Sequence, residues 1–311
     1  MNVVFMGTPD FAVHALGAII EKGHNVTLVV TQPDKECGRG KEVKFPPVKE
    51  CALANGIEVY QPVKIKDPEA VLRLKEVDAD IYVVAAFGQI LSKEILDIPK
   101  YGCVNIHASL LPKYRGAAPI QWSILDGMDK TGVTIQQMNE GLDTGDILLQ
   151  KEIKIEDTDT GESLFNKLAI LGSEAIVDAL EKIEDGTIVA TPQDDSESTY
   201  AGKLDKAMGR LDFSWDVEVL ERYVRGLNSW PSAYTYIGGK TLKIWEAHIA
   251  TECGANGAIP GTIVKIDKEH IYVACGNGVL SLDCVQLEGK KRMNTAAFLL
   301  GNKLEEGTVV G

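Results

Sequence analysis

Val3-Val-Phe-Met-Gly-Thr-Pro-Asp10, then a helical pattern to about Lys22, then Val26-Thr-Leu-Val-Val30, decides the fold. Short apolar runs bounded by turn residues read as buried strands. Thr8 can cap the intervening helix, and Pro9 suits its first position. The stretch is therefore a β-α-β unit. Working outward, Ile81 to Ala86 and Cys103 to Ile106 read as further buried parallel strands. Helical stretches around Pro47 to Ala54, Glu69 to Glu76 and Ala118 to Leu125 lie between them. The class is α/β, a mostly parallel sheet with helices on both faces.

Gly132-Val-Thr-Ile-Gln-Gln-Met138 and Asp146-Ile-Leu-Leu-Gln-Lys-Glu-Ile-Lys-Ile155 are too close for a helical crossover, so they are predicted to pair antiparallel. That puts Asp143 in a hairpin loop. Ser163 to Ile183, with Leu164, Leu168, Leu171, Ala175 and Leu180 on one side, is predicted as the helix closing the first domain. Thr191-Pro-Gln-Asp-Asp-Ser-Glu-Ser-Thr199 is polar and reads as a linker. After a helix at Val217 to Leu227, short β runs follow at 233–237, 241–246, 261–266, 270–274 and 279–287, with turns at Gly238-Gly239 and Gly276-Asn277-Gly278. They describe a small antiparallel barrel. The predicted domains are 1–189, a linker at 190–206, and 207–311.

A chain of 311 residues suffices for two domains, each with its own core. Hydrophobic content of 45% and charged content of 25% are those of soluble globular proteins, and no apolar run approaches a bilayer span of roughly 18 residues. The N-terminus has no secretory signal pattern, so a cytoplasmic location is expected, with no membrane partner. Six cysteines without a Cys-x-x-Cys pair disfavour zinc and read as reduced structural thiols; no metal is expected. The net charge of −13 argues against nonspecific nucleic-acid binding over the whole surface. Residues 207–311 carry 11 Lys+Arg against 12 Asp+Glu, which leaves 21 against 33 before them, so a polyanion would meet the C-terminal part or a local basic loop.

Cys103-Val-Asn-Ile-His-Ala-Ser-Leu-Leu-Pro112 and Gly141-Leu-Asp-Thr-Gly-Asp146 carry the chemistry. Asn105 and His107 are two residues apart on a strand and share a face. Ligands of open α/β sheets bind beyond the carboxyl ends of the strands, which both residues and Asp143 can reach. The trio suits acyl transfer to a neutral amine. Asn105 and a protonated His107 can donate to the oxygen that gains charge, while Asp143 orients the imidazole and helps remove the amine proton. Two other readings stand beside this one. Ser109 could be a hydrolytic nucleophile, although it lacks a Gly-x-Ser-x-Gly elbow. Asn105 and His107 could merely cap a strand and hold the next loop. A dinucleotide enzyme is disfavoured, since Gly7-Thr-Pro is not Gly-x-Gly-x-x-Gly.

The string Asn-x-His-x-Ser-Leu-Leu-Pro with the later Leu-Asp-Thr-Gly-Asp resembles the folate-dependent formyltransferases. Phe5 to Ala12, Gln32-Pro-Asp34 with Gly38-Arg-Gly40, Phe87-Gly-Gln-Ile90, Arg115 to Gln121 and Leu227-Asn-Ser-Trp-Pro-Ser-Ala-Tyr234 extend the likeness over nearly the whole chain, toward the members that act on charged tRNA. The resemblance implies a Rossmann-like formyltransferase domain followed by an OB-like β-barrel. It implies transfer of the formyl group of 10-formyltetrahydrofolate, a cosubstrate, to the α-amine of initiator methionyl-tRNA by direct amine attack. By this likeness Asn105, His107 and Asp143 are catalytic. Ser109, Leu110, Leu111 and Pro112 line the folate pocket, and Phe87, Gly88, Gln89 and Ile90 form its neighbouring wall.

Lys35, Arg39, Lys41 and Lys44 lie in the connection from Thr31 to Phe45, which by composition alone is a solvated loop. In tRNA formyltransferases the matching segment contacts the acceptor stem, which points to Arg39 and Lys41; Lys203 and Lys206 are further phosphate candidates. Trp230, in a Ser-Trp-Pro turn, is expected to pack as core between the domains. One departure from the family is that Lys203-Leu-Asp-Lys206 is followed by Ala-Met-Gly-Arg210 where the family often has an acidic pair. Formyltransferases of glycinamide ribonucleotide or amino sugars, the hydrolase portion of formyltetrahydrofolate dehydrogenase, and a non-catalytic RNA-binding module are the competing readings. No oligomeric partner is indicated.

Overall fold

The computed structural model describes residues 1–37 and 42–311, in two units. The first comprises Met1–Pro119, Lys130–Lys154 and Phe165–Ala201; the second comprises Ile120–Asp129, Ile155–Leu164 and Gly202–Gly311. In chain order the first unit's strands are β1 (Asn2–Gly7), β2 (Asn25–Val30), β3 (Lys35–Cys37), β4 (Glu42–Lys44), β5 (Val59–Tyr60), β6 (Ile81–Ala85), β7 (Cys103–His107), β8 (Arg115–Gly116), β9 (Lys130–Gln137), β10 (Ile147–Lys154) and β11 (Tyr200–Ala201).

Seven of them form one sheet in the order β10-β9-β7-β6-β1-β2-β5. From β5 to β7 all pairings are parallel, and β9 is antiparallel to both its neighbours. Parallel neighbours need crossovers, which helices such as Asp10–Glu21 and Pro68–Lys75 supply. Every residue of β6 is buried, as are the last five of β1, because the sheet is covered on both faces. Val4, Met6, Leu28, Val30, Tyr82 and Val84 pack in one core with Leu74, Ile95 and Leu96. The Tyr82 hydroxyl satisfies itself on the Leu74 carbonyl at 3.0 Å, and burial pushes its pKa up.

The strand order reverses between β1 and β6, which places a ligand crevice at the loops that follow them. Thr8 stands there, and its role differs from the predicted cap. The helix begins at Asp10 with Pro9 in the capping position, so Thr8 is too early to cap. Its hydroxyl instead donates to the Phe87 carbonyl at 3.1 Å, tying the loop after β1 to the loop after β6.

Among the described residues of the connection from Thr31 to Phe45, β3 and β4 pair antiparallel, with Lys35 opposite Lys44. The segment read as a linker divides in two. Residues 191–201 run along the first unit, where Thr191 bridges Ile147 and β11 pairs parallel with β8; residues 202–206 belong to the second unit.

The second unit carries β12 (Ala233–Ile237), β13 (Lys240–Ile249), β14 (Ile263–Ile266), β15 (Ile271–Ala274), β16 (Val279–Leu287) and β17 (Met293–Asn294). They form one antiparallel sheet, β12-β13-β16-β15-β14, with β17 added to β16. Val217, Leu220 and Val224 of the helix Val217–Gly226 sink into the same core as Leu242, Ile244, Leu282 and Val285. Burying each such side chain contributes about 1.5–3 kcal/mol. Trp230 is a correction: it is 53% exposed. The turn turns the polar neighbours Asn228 and Ser232 inward instead, and Asn228 donates to the Trp245 carbonyl.

Candidate active site

Strand β7 sets the site. Asn105 pairs with Val84 of β6 and Gln136 of β9, and His107 pairs with Thr134, so the two side chains emerge on one face at the carboxyl end of the strand. Asn105 is half-buried, and its carboxamide makes no hydrogen bond among the described residues. It is the uncommitted donor of the site.

His107 is 6% exposed, with Nε2 2.9 Å from the Tyr114 carbonyl oxygen and Nδ1 3.6 Å from Asp143 Oδ1. A carbonyl can only accept, so Nε2 is the donor of that bond, and Nδ1 is the ring nitrogen that faces the carboxylate. The 3.6 Å separation is beyond hydrogen-bond length, yet a proton captured at Nδ1 meets an anion at once. Nε2 is thus committed to Tyr114, which leaves Asn105 rather than the imidazole free to address a developing oxyanion.

Asp143 stands in the loop between β9 and β10, as predicted from their close spacing. Its φ of 51° is in the left-handed region that a non-glycine residue seldom adopts. Oδ2 accepts from the Gly116 N–H and Oδ1 from Gln136 Nε2, both at 2.9 Å. Two neutral donors therefore aim the carboxylate at His107. Gly145 follows in the same turn, where a Cβ would overlap the Gln137 carbonyl oxygen; only glycine lets the chain pass so close.

Two loops leave the ends of the adjacent strands β6 and β7. After β7, Ser109 and Leu111 are buried, while Leu110 and Pro112 are half-buried. Thr134 Oγ1 donates to the Ser109 carbonyl at 2.6 Å and accepts from the Leu111 N–H at 3.0 Å. Gln150 Nε2 donates to the Leu111 carbonyl and to Thr134 Oγ1, each at 2.9 Å. Ser109 is fully buried, and its hydroxyl donates to the Lys113 carbonyl at 2.7 Å, so it is no nucleophile paired with His107. After β6, the Phe87 ring is core and its carbonyl accepts from Thr8 and from Gln32, both at 3.1 Å. Gln89 bonds the Ile65 N–H and the Pro62 carbonyl, whereas Gly88 and Ile90 are exposed. Phe87 and Gln89 therefore anchor this loop, and its surface is offered by Gly88 and Ile90.

The first unit thus brings together Asn105, His107, Asp143 and both loops. Lys203 and Lys206 are exposed residues of the second unit, and Arg39 and Lys41 lie outside the described residues. Among the supporting residues that escaped sequence reading are Thr134, Gln136, Gly116 and Gln193, whose amide donates to the Asp143 and Gly145 carbonyls. Thr134 and Gln136 leave a trace, as polar residues alternating with Val133 and Ile135 on a strand buried on both faces. Gly116 and Gln193 leave none, since main-chain donation and a long-range side-chain bond have no local pattern.

An α/β sheet with an amide, an imidazole and a carboxylate at its carboxyl edge, followed by an antiparallel unit, is an arrangement suited to group transfer. A family model described as formyl transferase matches residues 1–180, and one described as formyl transferase, C-terminal domain, matches residues 203–303. The chain therefore belongs to the formyl transferase family. It is 53% identical over 308 residues to the methionyl-tRNA formyltransferase of Agathobacter rectalis, covering 99% of each chain. It is also 53% identical over 314 residues to that of Lachnospira eligens, covering 100% of each. Two solved structures share the fold. The sugar 3N-formyl transferase WlaRD, determined in the presence of dTDP and 5-N-formyl-THF, is 20% identical with a TM-score of 0.69 over 94% of this chain and 99% of its own. HypX from Aquifex aeolicus in complex with tetrahydrofolic acid is 17% identical with a TM-score of 0.65 over 98% of this chain, which spans 50% of HypX.

Proposed function

We propose that the protein is a cytoplasmic methionyl-tRNA formyltransferase that moves the formyl group of 10-formyltetrahydrofolate to the α-amine of methionine on initiator tRNA, for translation initiation. The observation that carries this reading is 53% identity, end to end, with methionyl-tRNA formyltransferases. The site chemistry supports it. The amine nitrogen attacks the formyl carbon, and Asn105 Nδ2 donates to the oxygen as it becomes an oxyanion. A donor of this kind is worth about 10²–10³ in rate. The ammonium proton passes to His107 Nδ1, where Asp143 stabilises the imidazolium, while the Tyr114 carbonyl keeps the ring aligned through Nε2. Collapse of the tetrahedral centre breaks the bond to N10 of the folate, and the proton is returned to that nitrogen. A free α-amine titrates at about 7.7–8.0, so a usable neutral fraction exists near pH 7, and positioning is the main remaining task.

Ser109 to Pro112 and the surface of Phe87 to Ile90 are assigned to the folate. The antiparallel unit, with Lys203 and Lys206, is assigned to the tRNA together with Arg39 and Lys41. Guanidinium suits phosphates and base edges, and Gly38 and Gly40 allow close approach.

The test is incubation of the purified protein with 10-formyltetrahydrofolate and a panel of methionyl initiator tRNA, other charged tRNAs, free methionine, glycinamide ribonucleotide and amino sugars. Formylation of the initiator species is expected to dominate. Preference for any small amine would overturn the substrate assignment. Arg39→Ala is expected to raise KM for tRNA more than for folate; an equal response toward both would remove Arg39 from tRNA recognition.

A further inference from the structure

The polar strap from Thr191 to Ala201 reaches the candidate site through one side chain. Gln193 Nε2 donates to the Asp143 carbonyl at 2.9 Å and to the Gly145 carbonyl at 2.7 Å, spanning the turn that carries the carboxylate. Gln193 Oε1 accepts from Arg115 Nε at 3.1 Å and from Nη2 at 2.8 Å. Arg115 is itself fixed: its Nη2 also reaches Asp195 at 2.7 Å, and its main chain pairs with Tyr200. The next residue, Gly116, gives the N–H that holds Asp143 Oδ2. Gln193, Asp143, Gly116 and Arg115 therefore close a ring of hydrogen bonds around the carboxylate. The same strap holds the other side of the imidazole, because Thr199 Oγ1 accepts from the N–H of Tyr114, whose carbonyl takes His107 Nε2.

We propose that Gln193 is a positioning residue for the formyl transfer: it clamps the Asp143 turn and thereby sets the carboxylate against His107 Nδ1. The inference rests on the function proposed above. Asp143 sits at a φ of 51°, a conformation that persists only where the surroundings over-determine it. Its two carboxylate bonds fix where the oxygens point but do not hold the carbonyls of the turn. Asn139 Oδ1 holds the Gly141 N–H and the Thr144 hydroxyl at the start of the turn, and Gln193 restrains its carbonyls, by two bonds either side of Thr144. Both carbonyls are acceptors, so a donor is required there, and both Arg115 bonds require an acceptor at the other end. A primary amide supplies the two together. Released, the turn can drift, and a misplacement of about 1 Å costs on the order of 10²-fold in rate.

The experiment uses Gln193→Ala and the near-isosteric Gln193→Glu in the full chain. Glutamate keeps the acceptor for Arg115 and loses the donor to the turn, so it tests the clamp even if the alanine variant folds poorly. Two readouts are taken: kcat and KM for formylation of methionyl initiator tRNA, and the 15N resonances of the His107 ring, assigned by difference from His107→Gln among the five histidines. Both variants are expected to lose about 10- to 100-fold in kcat, with KM for each substrate within about threefold, and to shift the His107 Nδ1 resonance as its carboxylate neighbour moves. A kcat within twofold of wild type, or a loss without movement of the His107 resonances, overturns the role. If wild type formylates no tRNA, the functional reading fails, and the ring resonances alone decide whether Gln193 holds the pair.

Discussion

Asn105 differs from its partners in what its loss exposes. Its carboxamide bonds nothing among the described residues, so Asn105→Ala strands no buried group and removes only an interaction made during reaction. A kcat loss of about 10²–10³ with a melting temperature close to wild type is expected; steady-state kinetics beside thermal unfolding checks both. A large drop in stability, or unchanged kcat, would remove the donor role. Asp267, in the second unit, carries the opposite kind of effect. The N–H of Glu269 holds its carboxylate first, with the His270 N–H and the Tyr272 hydroxyl beside it, and its pKa falls to about 2. A carboxyl near 3.9 when unfolded and lower when folded stabilises above its unfolded value and loses that contribution as pH falls from about 4 to about 2. The stability advantage of wild type over Asp267→Asn is therefore expected to be level above about pH 5 and to vanish by about pH 2, in urea titrations at stepped pH. Its size is limited to about 1 kcal/mol, because the side chain is 36% exposed and water screens it. The catalytic role of Asn105, His107 and Asp143 came from the family likeness, whereas the strand face shared by Asn105 and His107 and the place of Asp143 in the β9–β10 loop were legible, because strand period and loop length place side chains from local rules. The commitment of His107 Nε2 was not, since its acceptor is the carbonyl of Tyr114, and a main-chain oxygen has no letter in the sequence.

Among the elements, β9 does more than complete the sheet. Its Thr134 is fully buried and its hydroxyl joins three bonds, to Ser109, Leu111 and Gln150. Thr134→Val keeps the shape and leaves those groups unpaired, at a cost of about 1–3 kcal/mol. A lower urea midpoint with a raised KM for the formyl donor is expected, because the Ser109 to Pro112 loop loses its tie. A lower midpoint with an unaltered KM would separate that loop from the folate. The strands were readable where burial is complete or alternating: β6 falls within the predicted run, and β9 with β10 gives the predicted antiparallel pair. Caps and straps were harder. Thr8 and Pro9 both fit helix starts, and the choice fell to a carbonyl at Phe87 that lies 79 residues away. The 190–206 stretch has linker composition, yet its Gln193 and Thr199 side chains are spent on main-chain groups of the first unit.

For the whole molecule, charge decides how a polyanion is met. A chain of net charge −13 must gather its phosphate contacts locally, and exposed Lys203 and Lys206 are two of them in the proposed reading. Replacing either with alanine is expected to lower the slope of log(kcat/KM) for tRNA against log salt by about 1, leaving the folate KM unmoved. A slope equal to wild type would exclude that lysine from the tRNA path. Two-part organisation was legible because the periodicity changes from β-α alternation to short β runs beyond Val217; the exposed Trp230 was not, since a large aromatic in an apolar turn reads as core by composition alone.

Parallel pairing of Arg115–Gly116 with Tyr200–Ala201 also bears on how the polypeptide is made. In a chain leaving the ribosome, Asn105, His107 and Asp143 have all emerged by residue 143 together with Tyr114, Gly116 and Gln136, yet the further ties from Gln193 and Thr199 arrive only later. A fragment ended at residue 189 would hold the candidate trio and lack the Gln193 and Thr199 ties, so split or fused versions of this gene are better broken beyond Ala201.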